Sequence, residues 1–392
     1  IRYKILMSCL IMAIIPAVIV STYGIYSTTK ALQLNSLREQ DTKISLLNSQ
    51  IDSILSVVKS DLLYFRDSST MRELIGAMTS SNNSFQALET ARIRLSEDFF
   101  KFSKQRDIYY QLSFLSKYGK EIVKVKRDNG QSKIITELED KKGRYYVNKT
   151  LVLNRDEVMV SNIDLNRSNG EIEEPNHAVI RYGTPIFDKF NRLQGIIIFS
   201  VSANKFLNIL DGSDNKDETL LMVDSDGYYL FNSDEKKLWG SSRDKNTGER
   251  LQKDLPLLGN KIIGLKTPTT FYDGDNIINV KLVGNGVDSY SNLGYMISYL
   301  PKDSIFYPSI KAREFYIIFT FITLVLTIFF ALIIAKKITR PIANLTKAAY
   351  DMSKGDIEKP VEIEGNDEVN NLALSLERLR RSVKILMAKY TS

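Results

Sequence analysis

The feature that most constrains the fold is a pair of long apolar runs near the two ends of the chain. Residues Phe315–Ala335 contain no charged side chain, and Ile5–Tyr26 form a similar run with Pro16 in its middle. A helix needs about 20 apolar residues to cross the hydrocarbon core of a bilayer. The sequence therefore predicts two transmembrane helices, at residues 1–27 and 313–335.

Basic residues predict the orientation of these helices. Arg2 and Lys4 precede the first run, and Lys336, Lys337 and Arg340 follow the second. Because lysine and arginine mark the cytoplasmic side of a span, we expect both chain ends in the cytoplasm and about 285 residues outside. This predicts a multi-pass protein of the plasma membrane, in contact with lipid. A cleaved signal peptide is the alternative for the first run, but the run is long for such a segment and no A-x-A site follows it.

The composition argues against most familiar catalytic sites. The chain has one cysteine, Cys9, and one histidine, His177. An intrachain disulfide and a zinc site built on cysteine pairs are therefore excluded, and a Ser-His-Asp triad is disfavoured. The net charge of +7 is spread along the chain without a basic patch, so we predict no nucleic-acid binding. We expect no catalytic residue, no metal and no cofactor.

The outer region is predicted to begin with a long helix. No Gly or Pro occurs from Ile25 to Ile75, and apolar residues recur there at steps of three and four, the period of a helix. The recurring residues are Ile44, Leu47, Ile51, Ile54, Val58, Leu62 and Phe65. We predict a stalk helix over residues 28–76, with an ordinary packed helix as the alternative.

Two series of strand-like segments follow this helix. Short runs rich in β-branched and aromatic residues alternate with turn residues, and the second series begins with the hairpin signal Ser225-Asp226-Gly227. We therefore predict an α+β fold in which two tandem α/β units, at about 77–212 and 213–304, follow the long N-terminal helix. A helix over NKFLNILDG is predicted to end the first unit at Gly212.

Three segments of the outer region carry a family resemblance. They are YYQLSFLSKYGKEIVKVKR (Tyr109–Arg127), VSNIDLNRSNGEIEEPNHAVIRYGTPIFD (Val160–Asp188) and LMVDSDGYYLFNSD (Leu221–Asp234). They resemble the double Cache (dCache) sensor module of bacterial transmembrane receptors over about residues 28–312. The resemblance implies a membrane-distal and a membrane-proximal PAS-like unit. The Arg and Trp that mark the amino-acid-binding members are absent, so the resemblance does not extend to an amino-acid ligand.

The same resemblance implies a small ligand held against the sheet of the distal unit. Arg181 lies in the apolar run AVIRYGTP and suits a carboxylate or another organic anion, which it would bind through two parallel hydrogen bonds. The alternative is an arginine that pairs with Asp164 and stabilises the fold. The candidate ligand-binding residues, all polar and on or beside the predicted strands, are Tyr110, Tyr146, Ser161, Asp164, Arg181 and Tyr182.

The segment after the second span, residues 336–392, contains two amphipathic helices. Pro341 begins the first and Gly355 follows it, as expected of an N1 proline and a C′ glycine, and Glu368 opens the second at the positive end of its dipole. The second helix carries an a/d heptad stripe: Val369, Leu372, Leu376, Leu379, Val383 and Leu386. Such stripes predict a parallel four-helix bundle formed by two copies. The segment resembles a HAMP domain followed by the start of an output helix, and the resemblance implies signal transmission through Pro341, Gly355 and Glu368.

Together these features predict a homodimeric transmembrane receptor that senses an extracytoplasmic small molecule. Its HAMP domain would act on a cytoplasmic output domain, or on a partner protein. The output stays open between a histidine kinase, a diguanylate cyclase or phosphodiesterase whose catalytic domain is absent from these residues, and a chemoreceptor-type protein without enzymatic output. The cytoplasmic segment contains no histidine that could accept a phosphoryl group. A secreted binding protein is disfavoured because it has no use for heptad-patterned cytoplasmic helices.

Overall fold

The computed structural model divides the chain into two compact units. The central unit comprises Asn35–Ser304, and the terminal unit combines Ile1–Leu34 with Ile305–Ser392. The central unit contains both large sheets, and the described part of the terminal unit is helical except for a connector after Ser353. The residues that the structure describes are 2–80, 85–211, 218–284, 293–362 and 368–390.

The central unit combines helices with antiparallel strands. Its helices are α1 (Arg2–Arg66, which begins in the terminal unit), α2 (Ser69–Thr79), α3 (Phe85–Gln105), α4 (Tyr145–Leu151), α5 (Asn204–Asp211), α6 (Leu251–Asp254) and α7 (Pro256–Ile263). Its strands are β1 (Tyr109–Ser116), β2 (Glu121–Asp128), β3 (Gln131–Ile134), β4 (Met159–Val160), β5 (Asp164–Leu165), β6 (Arg167–Ser168), β7 (Glu171–Ile172), β8 (Ala178–Phe187), β9 (Leu193–Ser202), β10 (Thr219–Val223), β11 (Tyr229–Phe231), β12 (Thr269–Asp273), β13 (Asn276–Val283) and β14 (Gly294–Pro301).

Twelve of these strands form two large sheets, the first from β1–β5, β8 and β9 and the second from β10–β14, while β6 pairs with β7 in a small third sheet. This arrangement confirms the predicted α+β fold. The first sheet has the order β3-β2-β1-β9-β8-β4, and β5 also pairs with β8. The second sheet has the order β11-β10-β14-β13-β12. Helix α5 ends at Asp211, and the predicted helix end at Gly212 lies outside the described residues.

Helix α1 confirms the long N-terminal helix, with 65 residues in one element. It ends at Arg66, so the predicted stalk of residues 28–76 is interrupted, because Ser68 accepts the backbone N–H of Met71 and caps a new helix, α2. Its buried stripe in the central unit follows the predicted period, except that Leu55 is fully buried while Ile54 is only partly buried. The buried residues of the stripe are Ile44, Leu47, Ile51, Leu55, Val58, Leu62 and Phe65. Burial of these apolar side chains stabilises the helix far more than the propensity of its polar residues does.

The two faces of the first sheet have different coverings. Successive side chains of a strand point to opposite faces, so Ile180 and Tyr182 of β8 enter the main hydrophobic core with α1 and α3. The other face carries a smaller apolar cluster with α4, built from Leu115, Val147, Met159, Ile196 and Ile198. Arg181, between Ile180 and Tyr182, therefore lies on the α4 side of the sheet.

The terminal unit contains two helices that are long and apolar enough to cross a membrane, by length and composition. They are the first part of α1 and α8 (Lys302–Ile334), and Ser21 and Thr320 share a hydrogen bond of 2.5 Å between their hydroxyls. A short π-helical segment, Ala335–Thr339, continues α8 into α9 (Arg340–Ser353), and α10 spans Glu368–Tyr390.

Candidate functional site

A cavity of about 360 Å³ lies in the central unit, where the α4 side of the first sheet meets the loop that follows β11. Four arginines and one carboxylate line it, so its wall is strongly basic. Two tyrosines, at the start of α4, complete the polar surface. The lining residues are Gly143, Arg144, Tyr145, Tyr146, Asp164, Leu165, Arg167, Arg181, Ser242 and Arg243.

Arg181 is held rigidly at the bottom of this cavity. Its guanidinium pairs with the Asp164 carboxylate, donates to Asn166 Oδ1 at 2.9 Å, and lies 4.6 Å from the centre of the Tyr146 ring. Burial alone would lower the pKa of Arg181, but the neighbouring Asp164, Tyr146 and Tyr145 outweigh it and raise this pKa above its usual range. Arg181 is therefore a permanently charged group, with Asp164 as its buried partner.

The surrounding side chains fix this ion pair in place. Tyr145 donates its hydroxyl to Asp164 Oδ2 at 2.6 Å. Ser161 accepts a hydrogen bond of 2.8 Å from the backbone N–H of Arg181 and donates to the Asn162 carbonyl. Each carboxylate oxygen of Asp164 thus accepts a hydrogen bond, from Tyr145 or from Arg181, as a buried ion pair requires.

The structure brings together some of the sequence-predicted ligand-binding residues and separates others. Tyr146, Asp164 and Arg181 line the cavity, and Ser161 supports the strand at Arg181. Tyr110 lies elsewhere: its hydroxyl donates to Glu173, and its ring is 4.8 Å from the His177 ring. Tyr182 points to the opposite face of the sheet, into the main hydrophobic core.

A second buried charge cluster on the first sheet is fully balanced. Lys124 lies 3.2 Å from Glu121 and 2.7 Å from Glu139, and Lys141 lies 2.6 Å from Glu139. Burial alone would raise the pKa of Glu139, but the two lysines lower it to about 2. With two cations and two anions in contact, this cluster has no charge left for a ligand, unlike the arginine-lined cavity.

Three of the four cavity arginines were not among the sequence-predicted residues. Within the described part of the chain, Arg167 donates to carbonyl oxygens alone, among them those of Arg243 and Asp244. Arg144 takes part in no ion pair with any residue that the structure describes. Arg243 contacts Asp224 at 3.2 Å and Asp226 at 3.5 Å.

The loop that carries Arg243 is fastened to the first sheet by Asp244. One carboxylate oxygen of Asp244 accepts the backbone N–H of Leu165 at 2.8 Å, and the other accepts the Ser241 hydroxyl at 2.5 Å. The loop, which also contains Trp239, is thus tied to β5, the strand that supplies Asp164. The α4 side of the first sheet is therefore connected directly to the loop that follows β11 of the second sheet.

The second sheet contributes a buried acid at this connection. Asp224 is 2% exposed and accepts the backbone N–H groups of Asp226 and Tyr228, both at 2.9 Å. Burial raises the pKa of Asp224 to about 6, and the charge of Asp226 adds to the increase, while these N–H groups and Arg243 oppose it. An acid with a raised pKa binds a proton more tightly in the folded chain than in the unfolded chain.

This raised pKa predicts a pH-dependent stability difference between the wild type and Asp224→Asn. As the pH rises from 4 to 6, the Asp224 carboxyl loses its proton in the unfolded chain before it does so in the folded chain. The free energy of unfolding of the wild type should therefore fall by about 3 kcal/mol relative to that of the variant, and it should stay constant above this range. Urea denaturation of the full chain, followed by Trp239 fluorescence, measures the difference at each pH. In Asp128→Asn the difference should have the opposite sign and should appear below about pH 4, because Lys133 lowers the pKa of the exposed Asp128. If the difference in free energy of unfolding between the wild type and Asp224→Asn does not change with pH, the prediction is wrong.

The described part of the HAMP-like segment places the three predicted transmission residues at helix ends. Pro341 is in the first turn of α9, and Glu368 is the first residue of α10. Gly355 has a φ of +95°, in the left-handed region that favours glycine, directly after the helix cap. Leu345, Val361 and Ala373 form the small core between these helices and the connector.

A charge cluster that was not predicted joins the connector to α10. Glu377 accepts the backbone N–H of Val361 at 3.0 Å and two hydrogen bonds of 2.8 Å from Arg380. Arg380 in turn donates to the Ile357 carbonyl at 2.6 Å. In the single chain, by contrast, half of the heptad stripe is open: Leu372, Leu379 and Leu386 are 53, 56 and 55% exposed.

Two segments of the chain match known protein families. Residues 68–288 match the family model described as the sensor domain of bacterial histidine kinases, and residues 333–384 match the HAMP domain. The sensor protein kinase WalK of Staphylococcus haemolyticus (strain JCSC1435) is 38% identical over 80 residues, which are 20% of this chain and 13% of the relative. The chain thus matches only about an eighth of the length of such curated relatives.

Two solved structures are similar to the central part of the chain. The first is a domain of a sensory box/GGDEF family protein from Vibrio parahaemolyticus, with a TM-score of 0.58 and 18% identity over 70% of this chain and 99% of that domain. The second is the extracellular domain of the histidine kinase vpHK1S-Z8, also at a TM-score of 0.58 and 18% identity, over 70% and 95%. At this level of identity they support the fold alone.

Proposed function

Because the chain belongs to the family of bacterial histidine kinase sensor domains and carries a HAMP domain, we propose that its central unit binds a small organic anion outside the cell. The HAMP helices would then pass the signal to a cytoplasmic output. The observation that carries the ligand class is the cavity of about 360 Å³ with four arginines and one carboxylate in its wall.

The charge balance of the cavity favours an anion. Arg181 is matched by Asp164, and Arg243 pairs with Asp224 at 3.2 Å and with Asp226 at 3.5 Å. Among the residues that the structure describes, Arg167 binds carbonyl oxygens and has no acid partner. A planar guanidinium in this state is suited to a carboxylate or phosphate. The volume falls in the range of small-molecule sites. Of the sequence-predicted residues, Tyr146, Asp164 and Arg181 remain the proposed ligand-binding set, with Tyr110, Ser161 and Tyr182 outside the wall.

The proposed topology follows from the two apolar helices. Residues 1–27 and 313–335 would cross the membrane, residues 28–312 would form the outer dCache region, and residues 336–392 would form HAMP and the start of an output helix. In this arrangement two copies of the chain form the four-helix HAMP bundle, and Pro341, Gly355 and Glu368 mark the segments that move. A ligand shifts such a bundle between two packings only through its different affinity for the two states.

Three kinds of output are compatible with these domains: a histidine kinase, a diguanylate cyclase or phosphodiesterase, and a chemoreceptor-type protein. A histidine kinase is favoured because the curated relatives matched over 80 residues are sensor protein kinases. A chemoreceptor-type protein without enzymatic output is the second candidate, because the HAMP domain is independent of the output that follows it. The gene sequence downstream of Ser392 distinguishes them: a phospho-accepting helix with an ATP-binding domain supports the kinase, and a long helical hairpin contradicts it.

The proposed ligand class predicts the effect of Arg144→Gln. Thermal unfolding of the full chain in lipid nanodiscs should shift upward in succinate, citrate or inorganic phosphate, and putrescine should have no effect. Arg144→Gln should weaken binding of the active anion about tenfold, since a charge-assisted hydrogen bond contributes about 1.5–3 kcal/mol. The matched control is Lys142→Gln, an exposed cation two residues away and outside the cavity wall, which should bind like the wild type. A wild type that no anion stabilises would contradict the proposal.

A further inference from the structure

We propose that Arg243 is a ligand-contacting residue supplied by the second sheet, and that the bound anion draws its guanidinium away from Asp224 and Asp226. The inference rests on the proposed function, because it assigns a further contact at the same cavity. It makes the ligand a bridge between the two sheets of the central unit.

The contacts of Arg243 leave it available for a ligand. It lines the same cavity wall as Arg181, yet its shortest acid contact is 3.2 Å and its second is 3.5 Å. Its side chain is 32% exposed, whereas that of Arg181 is 6% exposed. Its Nε is buried and has no hydrogen-bond partner among the residues described. A buried donor without an acceptor is costly, so an anion that reaches it gains a favourable hydrogen bond.

The backbone at Arg243 is held by hydrogen bonds, while its guanidinium is held by the contacts of 3.2 and 3.5 Å to Asp224 and Asp226. Asp244, the next residue, holds the backbone N–H of Leu165 at 2.8 Å, and Arg167 donates to the carbonyl of Arg243 at 3.1 Å. These bonds keep the base of the Arg243 side chain beside β5. The guanidinium therefore needs only rotations of its own side chain to exchange Asp224 and Asp226 for a ligand in the cavity.

The exchange would act directly on the turn between β10 and β11 of the second sheet. Asp224 follows β10 and holds the turn to β11 by accepting two backbone N–H groups at 2.9 Å. Strand β10 pairs with β14 from Thr219 to Val223, and β14 continues into α8. When the Arg243 guanidinium moves away, the buried Asp224 carboxylate, which follows β10, loses part of the positive charge that balances it. A ligand bound against the first sheet can thus change the stability of the turn that leads to the output strand.

The test uses Trp239, the only tryptophan of the chain, which lies four residues before Arg243 in the same loop. The full chain in nanodiscs is titrated with succinate, citrate and inorganic phosphate, and the tryptophan emission gives the Kd. Arg243→Gln should raise the Kd of the active anion at least tenfold. Asp226→Asn, at a side chain 56% exposed, should lower the Kd several-fold, because Arg243 loses a competing partner. Lys245→Gln, an exposed cation in the same loop, should leave the Kd within twofold of the wild type.

The outcomes separate this inference from the proposed function. If an anion binds and Arg144→Gln weakens it, but neither Arg243→Gln nor Asp226→Asn changes the Kd, the bridging role is wrong and the anion sensor stands. If no anion changes either the emission or the thermal stability of the wild type, both proposals fail. A tighter complex in Asp226→Asn supports the bridge even where Arg243→Gln fails to fold, because a purely structural ion pair would not oppose ligand binding.

Discussion

Arg181→Ala is expected to lower the free energy of unfolding of the central unit by about 4 kcal/mol, because it leaves the buried Asp164 carboxylate without its cation. Asp164 is 4% exposed, and after the substitution only the Tyr145 hydroxyl would remain on its carboxylate. The Tyr146 ring would also lose the guanidinium that lies 4.6 Å from its centre. Urea denaturation of the full chain in detergent micelles, followed by Trp239 fluorescence, measures this loss.

The double variant Arg181→Met/Asp164→Leu should recover most of that stability, because replacing both members of a buried ion pair by apolar groups is often neutral. An exposed pair provides the control: Lys205→Ala removes the partner of Asp107, with both side chains at least 45% exposed, and should cost less than about 1 kcal/mol. A loss of similar size in the two single variants would contradict the structural role of the Arg181 pair.

The double variant also distinguishes the two interpretations of Arg181 that the sequence left open. If the residue only stabilises the fold, the double variant should bind the active anion with the Kd of the wild type. If Arg181 also contacts the ligand, as its place in the cavity wall suggests, binding should weaken at least tenfold while the fold is retained. Stability and affinity thus report on different roles of the same guanidinium.

The sequence predicted the scaffold of the site better than its wall. Local periodic patterns identify the stripe of α1 and the strands of the first sheet. Arg181 and Asp164 are only 17 positions apart in the sequence and lie on the paired strands β8 and β5. Arg243 and Arg167 meet although 76 residues separate them, and no period in the sequence links a loop after β11 to β6. Only the packing of the two sheets brings these cations to one cavity.

Tyr182 illustrates why adjacent residues of a buried strand are hard to assign. Arg181 and Tyr182 were both predicted to face the ligand, but successive side chains of a strand point to opposite faces. In a half-exposed strand, polar and apolar residues alternate and identify the inner face. Strand β8 is buried on both faces, with nine of its ten residues buried, so its sequence carries no such alternation. The polar Arg181 was the only local guide.

Helix α10 shows a different limit of sequence reasoning. Its heptad stripe was visible as a period, but the residues buried within the single chain are Ala373, Glu377 and Arg380. Two contact surfaces thus lie on one helix: a face fixed by the connector and a stripe of exposed leucines. The heptad period of α10 predicts that its leucine stripe packs against another helix. Because these leucines are exposed in the single chain, they support a second copy of the chain as the partner, since a and d leucines are buried when two helices interlock.

We therefore expect cysteines placed on that stripe to crosslink two copies of the chain, and the fraction of crosslinked dimer should depend strongly on the position of the cysteine. In a Cys9→Ser background, Leu372→Cys and Leu379→Cys should each form an intermolecular disulfide in most chains when membranes are oxidised, because d positions of a parallel bundle bring their Cβ atoms within bonding range. Non-reducing gel electrophoresis measures the dimer fraction. Arg378→Cys is the matched control, since this exposed residue lies off the stripe and beside Leu379 in sequence. Equal crosslinking at residues 378 and 379 would indicate random collision, and monomer at both stripe positions would exclude the parallel bundle.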